Sequence, residues 1–239
     1  MKKNSLKNLA FVFGIMCYFH SFAQQTFYSR APDSPVINFV TSNSSIDEAK
    51  TKGSPYLDKN FVQGKVVRKG KTQLVANMRF NAYTNEVEIQ DGTLKQGYAS
   101  LYKRREFQAV IGGKTYSINV YKDKDGSLKS SYFVELNKGN LKLLFKPEVI
   151  LRPARRPNTS YGRYVPPTYI WNSSYYIFDT TKPTEENYAV EIGLSKNNIL
   201  KYTGNKKDVM KQFVKDSNLN LRREDDVISL LDYYNSINE

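Results

Sequence analysis

Apolar and polar residues alternate in short runs through residues 53–152, and turn-forming pairs separate the runs. Gly70-Lys71 follows Gly64–Lys69, and Asp91-Gly92 follows Glu86–Gln90. Gly112-Gly113 divides Glu106–Ile111 from Lys114–Tyr121. Asp125-Gly126 precedes Lys129–Leu136, and Lys138-Gly139-Asn140 precedes Leu141–Leu151. No helical period intervenes, so the spacing predicts an antiparallel β-meander over 53–152 rather than βαβ units. Two glycines adopt the positive φ of a type I′ turn, which pairs Ile111 with Lys114, Ala109 with Tyr116 and Phe107 with Ile118. Both strands then agree on which face is apolar.

The stretch Arg79–Gly92, RFNAYTNEVEIQDG, reads as a second hairpin. With Thr84-Asn85 at the tip, Asn81 faces Glu88 and Phe80 faces Ile89; a four-residue loop gives the same two faces. Met78, Phe80, Ala82, Val87 and Ile89 share an apolar face. Arg79, Glu86 and Glu88 lie on a polar one, with Arg79 a diagonal neighbour of Glu88.

The remainder departs from this pattern. Residues 24–52 have little periodicity and predict an extended arm, with Val36–Val40 as one short strand inside it. Residues 153–167 carry prolines, arginines and tyrosines, and predict a stiff basic connector. In 168–239 the runs Tyr169–Thr180 and Tyr188–Leu194 predict two further strands, followed by a helical pair that can complete the same domain. Asn205 is placed to cap the first helix, whose stripe is Val209, Met210, Phe213 and Val214, and Asn218 to stop it. Val227, Leu230, Leu231, Tyr234 and Ile237 form the stripe of the second, with Glu224, Asp225 and Asp226 at its positive end. The fold class expected is α+β and β-dominated: an antiparallel meander or partial barrel with two C-terminal α-helices.

The N-terminus changes the chemistry that is available. Lys2, Lys3 and Lys7 precede an apolar run from Leu9 to Phe19, and Ser21-Phe22-Ala23 supplies small residues at −3 and −1. This is the pattern of a signal peptide over 1–23, too short for a membrane span, and no later segment offers one. The sole cysteine, Cys17, and the sole histidine, His20, leave with it. The exported chain would then have no disulfide, cysteine nucleophile, Ser-His-Asp triad or usual zinc site. Loss of three lysines lowers the formal charge from +13 to +10. In an exported protein that excess suits anionic envelope surfaces rather than nucleic acid.

Few local patterns carry chemistry. Glu86 and Glu88 share a face with Cα atoms roughly 6–7 Å apart, a spacing at which carboxylate pairs can cleave glycosides. A cationic neighbour on an open face favours instead a solvated ladder with lowered pKa. Asp123–Gly126, DKDG, begins like a calcium loop, but Ser127, Leu128 and Val134 fill the positions that need an acid or Asn, Gly and Glu. No phosphate-cradling glycine motif follows a strand, so no cofactor is expected. The interaction candidates are Arg152, Arg155, Arg156 and Arg163, which can fork onto phosphates or carboxylates. Tyr161, Tyr164 and Trp171 beside them can stack on sugar rings or pack on a partner.

Three segments, GSPYLDKNFVQGKV (53–66), MRFNAYTNEVEIQ (78–90) and KDVMKQFVKDSNLNLRREDDVISLLDYYNSI (207–237), resemble an uncharacterised group of exported proteins of Bacteroidota-type bacteria. The resemblance implies the periplasm or outer envelope of a Gram-negative cell, or secretion from it, and assigns no catalytic residue. The function expected is a non-enzymatic binding or structural protein that contacts a protein partner or an anionic envelope polymer. The alternatives are a carrier holding a lipid or other apolar ligand in a curved sheet and a hydrolase using carboxylates.

Overall fold

A computed structural model describes residues 36–40, 50–90, 97–157 and 161–238. The expected signal peptide, most of the arm and the Asp91-Gly92 turn lie outside them. The first strands are β1 (Val36–Val40), β2 (Val62–Arg68), β3 (Lys71–Asn81), β4 (Glu86–Ile89) and β5 (Tyr98–Leu101). They are followed by β6 (Phe107–Ile111), β7 (Lys114–Lys122), β8 (Leu128–Glu135) and β9 (Leu141–Lys146). Further on come β10 (Val149–Arg152), β11 (Thr168–Trp171), β12 (Ser174–Asp179) and β13 (Val190–Ile192). Eleven of these form one open sheet in the order β1-β5-β4-β3-β2-β6-β7-β8-β9-β12-β13, and every pairing between these strands is antiparallel. The fold is therefore α+β and β-dominated.

The sheet is not one continuous meander. Strands β2 to β5 step outward in one direction, and the chain then returns to lay β6 on the free side of β2. The Gly112-Gly113 hairpin forms as expected, with φ of 55° and 78° and Ile111 opposite Lys114. The turn between β2 and β3 is centred on Lys69 and Gly70, both at positive φ, one residue earlier than the sequence pattern places it.

Inward residues of β2 to β8 build one core around Val66, Met78, Phe80, Phe107, Tyr116 and Tyr132. On the opposite side of β8, Phe133 joins Tyr121, Leu144, Tyr176 and Ala189 in a smaller one, where three rings meet edge to face. Beyond β7's contact with β6, Ala189 hydrogen-bonds Val120 and Lys122, so the chain curls back onto β7 through one parallel bridge.

Three helices pack on the far end. A short α1 (Lys196–Leu200) was not apparent from the apolar period; Ser195 caps it by accepting from the Asn198 N–H. The first expected helix is α2 (Lys207–Asp216), but Asn205 does not cap it. A 3₁₀ turn, Gly204–Lys206, leads directly into it instead. Asn218 does end the helix region in the left-handed conformation, at φ 51°. The last helix, α3 (Glu224–Ser236), buries Val227, Leu230 and Leu231 against Leu141, Leu143 and Ile177. Its Asn235 is a polar dock: Oδ1 accepts from Leu141 N–H at 2.9 Å, and Nδ2 donates to the Lys138 and Leu141 carbonyls at 2.8 and 2.9 Å. None of the described helices is long and apolar enough to cross a membrane.

Candidate functional site

The described residues of the expected connector, 153–157 and 161–167, continue the two arms of a hairpin, while 158–160 lie outside the described residues. Strand β9 pairs with β12 from Leu141–Asp179 to Lys146–Ser174. Strands β10 and β11 pair from Val149–Trp171 to Arg152–Thr168. Between these ladders the Asn172 N–H donates to the Glu148 carbonyl at 2.8 Å, and beyond them Arg155 and Val165 exchange two backbone hydrogen bonds. No residue slips along this whole length. The segments read from sequence as single strands, Leu141–Leu151 and Tyr169–Thr180, are each two strands of one long hairpin. Pro147 has no N–H to offer β8, so the chain leaves the main sheet there while keeping its hairpin partner.

The base of this ribbon is tied down. Val149 is buried in the larger core and its N–H donates to the Ala82 carbonyl. Lys52 hydrogen-bonds the backbone of Pro167 and Tyr169. Tyr169 meets Tyr83 edge on at 5.5 Å. The distal part is open. Arg152, Arg155, Arg156 and Arg163 are all exposed, and none has an acidic partner among the described residues. Tyr161 is 99% exposed, Tyr164 59% and Trp171 48%, so the aromatic surface stands beside the cationic surface rather than in the core.

A cleft of about 420 Å³ lies along the ribbon's base. Ile150 and Leu151 form one wall, and Ser130, Ser131, Lys103 and Lys146 contribute polar groups. Lys146 is nearly buried, donates to Glu148 at 2.8 Å and Tyr121 at 3.3 Å, and stands over the Tyr121 ring. Burial acts against its charge, but these partners prevail and hold its pKa above the ordinary lysine value. Residues of this cleft were not singled out by sequence, because Lys103, Ser130 and Lys146 come from three separate runs and meet only when the ribbon folds over.

The second candidate group is brought together, in a different role from the one expected. Arg79 lies directly opposite Glu88, and Asn81 opposite Glu86, because the loop has four residues, Ala82–Asn85. The apolar and polar faces are as expected, but the register differs by two. The solvated ladder is also corrected: Glu88 is fully buried, while Glu86 is half-buried. Arg79 Nε donates to Glu88 Oε2 at 2.7 Å, and Asn81 Nδ2 to Oε1 at 2.9 Å. Tyr56 and Phe61 cover the guanidinium at 3.7 and 4.3 Å from their ring centres, and its remaining nitrogens reach Tyr56 Oη and the Lys59 carbonyl. Burial raises the Glu88 pKa despite its hydrogen bonds to Asn81 and Arg79 and the charge of Arg79, reversing the direction expected on an open face. Tyr98, desolvated beside this carboxylate, is pushed up to about 12. Asn81 Oδ1 accepts from the N–H groups of Tyr83 and Thr84, so this side chain joins the buried acid to the loop.

Asp123–Ser127 closes as a turn held by Asp125 and Ser127, as its failed match to a calcium loop implied. Among the described residues no three His, Cys, Asp or Glu side chains are grouped to hold a metal. No family model matches the chain, and neither a curated protein nor a solved structure matches it.

Proposed function

We propose that this chain is a non-enzymatic binding protein of the bacterial cell envelope, and that it engages an anionic polymer through the tip of its long hairpin. The observation that carries this reading is the set of four exposed arginines without acidic partners among the described residues, interleaved with exposed aromatic rings. Guanidinium groups pair with carboxylates or phosphates in a forked geometry, and tyrosine and tryptophan faces add stacking area. Export rests on the signal-like N-terminus, and N-terminal sequencing of the exported protein is expected to begin at Gln24.

The alternatives lose support on geometry. A carrier needs space between sheet and helices, where Leu143, Ile177, Met210, Leu230 and Leu231 are packed. A carboxylate hydrolase needs an acid open to substrate, whereas both oxygens of Glu88 are committed to Arg79 and Asn81. The test is retention of the mature protein on an acidic polysaccharide. Arg155→Ala/Arg156→Ala is expected to weaken it ~10-fold at low salt, equivalent to about 1.4 kcal/mol, and added salt should weaken the wild type. Retention unaffected by either change would refute this reading; selective capture of a protein instead would replace the polymer with a protein partner.

A further inference from the structure

The cleft at the ribbon's base is unusual in its balance of donors and acceptors. Lys103, Asn85 and Ser130 line it with side chains able to donate, and Lys103 spends one of its N–H bonds on the Thr84 carbonyl at 3.4 Å. Asn85 spends its carbonyl oxygen on the Tyr132 N–H, which leaves its amide donor end for other partners. Lys146 uses two of its three N–H bonds on Tyr121 and Glu148 and keeps one. The only acid among the described lining residues, Glu148, is already occupied by Lys146 at 2.8 Å and Asn172 at 2.6 Å. Two lysines against one glutamate give the lining a formal charge of +1. A wall that mostly donates, with its one carboxylate neutralised, is complementary to an acceptor-rich anion.

Its other surfaces narrow the ligand further. Tyr83 is 40% exposed, and Ile150 is 46% exposed. Both border the cleft, offering a flat aromatic and an aliphatic surface beside the donors. Its volume of about 420 Å³ is within the ~300–1,000 Å³ range of small-molecule sites. We infer that this cleft binds one anionic sugar residue, its carboxylate or phosphate held by Lys103 and the free N–H of Lys146. The ring then lies against Tyr83, and Ser130 and Asn85 donate to its oxygens. This deepens the proposed function and rests on it: the cleft holds one unit of an acidic glycan, and the adjoining ribbon follows the units beyond.

Calorimetric titration of the mature protein separates the two sites. The probes are a galacturonate trimer, mannose 6-phosphate and neutral maltotriose. Lys103→Glu reverses an exposed charge, and Ser130→Trp fills the cleft from an exposed strand position. Unchanged urea midpoints serve as the fold control. Each variant is expected to weaken at least one acidic probe by tenfold or more, and the probe affected identifies carboxylate or phosphate as the anionic source. Arg155→Ala/Arg156→Ala should leave mannose 6-phosphate affinity unchanged if phosphate is the source, since that ligand ends within the cleft. Wild-type affinity for both acidic probes in both cleft variants, no binding of either probe, or equal binding of maltotriose would overturn the inference. If those results accompany loss of polymer retention in the arginine variant, the ribbon reading survives without the cleft. If the cleft variants fail as expected while that retention persists, the cleft survives and the ribbon reading fails.

Discussion

Two asparagines hold the turn between β8 and β9, and they share their acceptors, which predicts a strongly non-additive pair. Asn235 Oδ1 accepts from Leu141 N–H, and Asn137 Oδ1 accepts from Leu143 N–H at 2.6 Å. Both Nδ2 groups donate to the same two carbonyls, those of Lys138 and Leu141. Replacing either residue by Ala therefore orphans one buried N–H, at a cost of ~1–3 kcal/mol, but leaves each carbonyl with a donor. Replacing both also strips the buried Leu141 carbonyl, which adds a further ~1–3 kcal/mol absent from either single variant. The assay is equilibrium urea unfolding of wild type, Asn137→Ala, Asn235→Ala and the double variant. With a slope of ~2 kcal/mol/M, a coupling of ~2 kcal/mol moves the double variant's midpoint about 1 M below the additive expectation. A double variant whose cost equals the sum to within ~0.5 kcal/mol would show that the shared carbonyls find other partners, and would refute this reasoning.

Two further outcomes concern buried positions. Glu88→Ala leaves Arg79 beneath its aromatic cover without its ion partner, and is expected to cost about 3 kcal/mol in urea unfolding; a cost under ~1 kcal/mol would contradict the network. Because burial raises the Glu88 pKa, its protonation favours the fold below ~4.5, and that contribution is lost as pH rises through the folded-state value. Glu88→Gln does not titrate, so the stability advantage of wild type over it should shrink between pH 4 and 7; a widening gap would mean that Arg79 outweighs burial. Gly139 is at φ 96°, and a Cβ there would come within 2.6 Å of the Asn235 side chain. Gly139→Ala should lower stability by more than ~1 kcal/mol, and a neutral result in a thermal melt would argue against the close approach of α3.

The readable parts of this fold were those governed by the two-residue period. That period assigned Phe80 and Val87 to one face and Arg79 and Glu88 to the other, and the Gly112-Gly113 pair fixed a register as well. In the Arg79–Glu88 hairpin, two- and four-residue loops bury the same side chains, so facing alone could not choose between them. The aromatic cover over Arg79, the partner of Glu88, comes from Tyr56 and Phe61, which precede β2 and lie outside both strands of this hairpin. The hairpin was hidden by its own construction: Pro147 and the break near Asn172 interrupt each arm, and the prolines beyond Arg152 suggest a linker. The arginines and rings at its tip were visible because exposure leaves composition undisguised, whereas the cleft joins residues that no local pattern connects.

The single bridge from Ala189 to β7 also bears on the order in which this protein acquires its structure. It joins residues 121 and 189, whereas the neighbouring hairpins close across far shorter stretches. Closing that span costs more chain entropy than forming any one of those hairpins. The bridge is therefore expected to be a late event, completed after strands β7, β8, β9 and β12 have assembled. Until then the Val120 carbonyl and Lys122 N–H lie on an uncapped strand end, a template on which a second nascent chain can add. Ala189 acts as a built-in terminator for that template, protecting against mispairing during folding as well as joining the finished sheet.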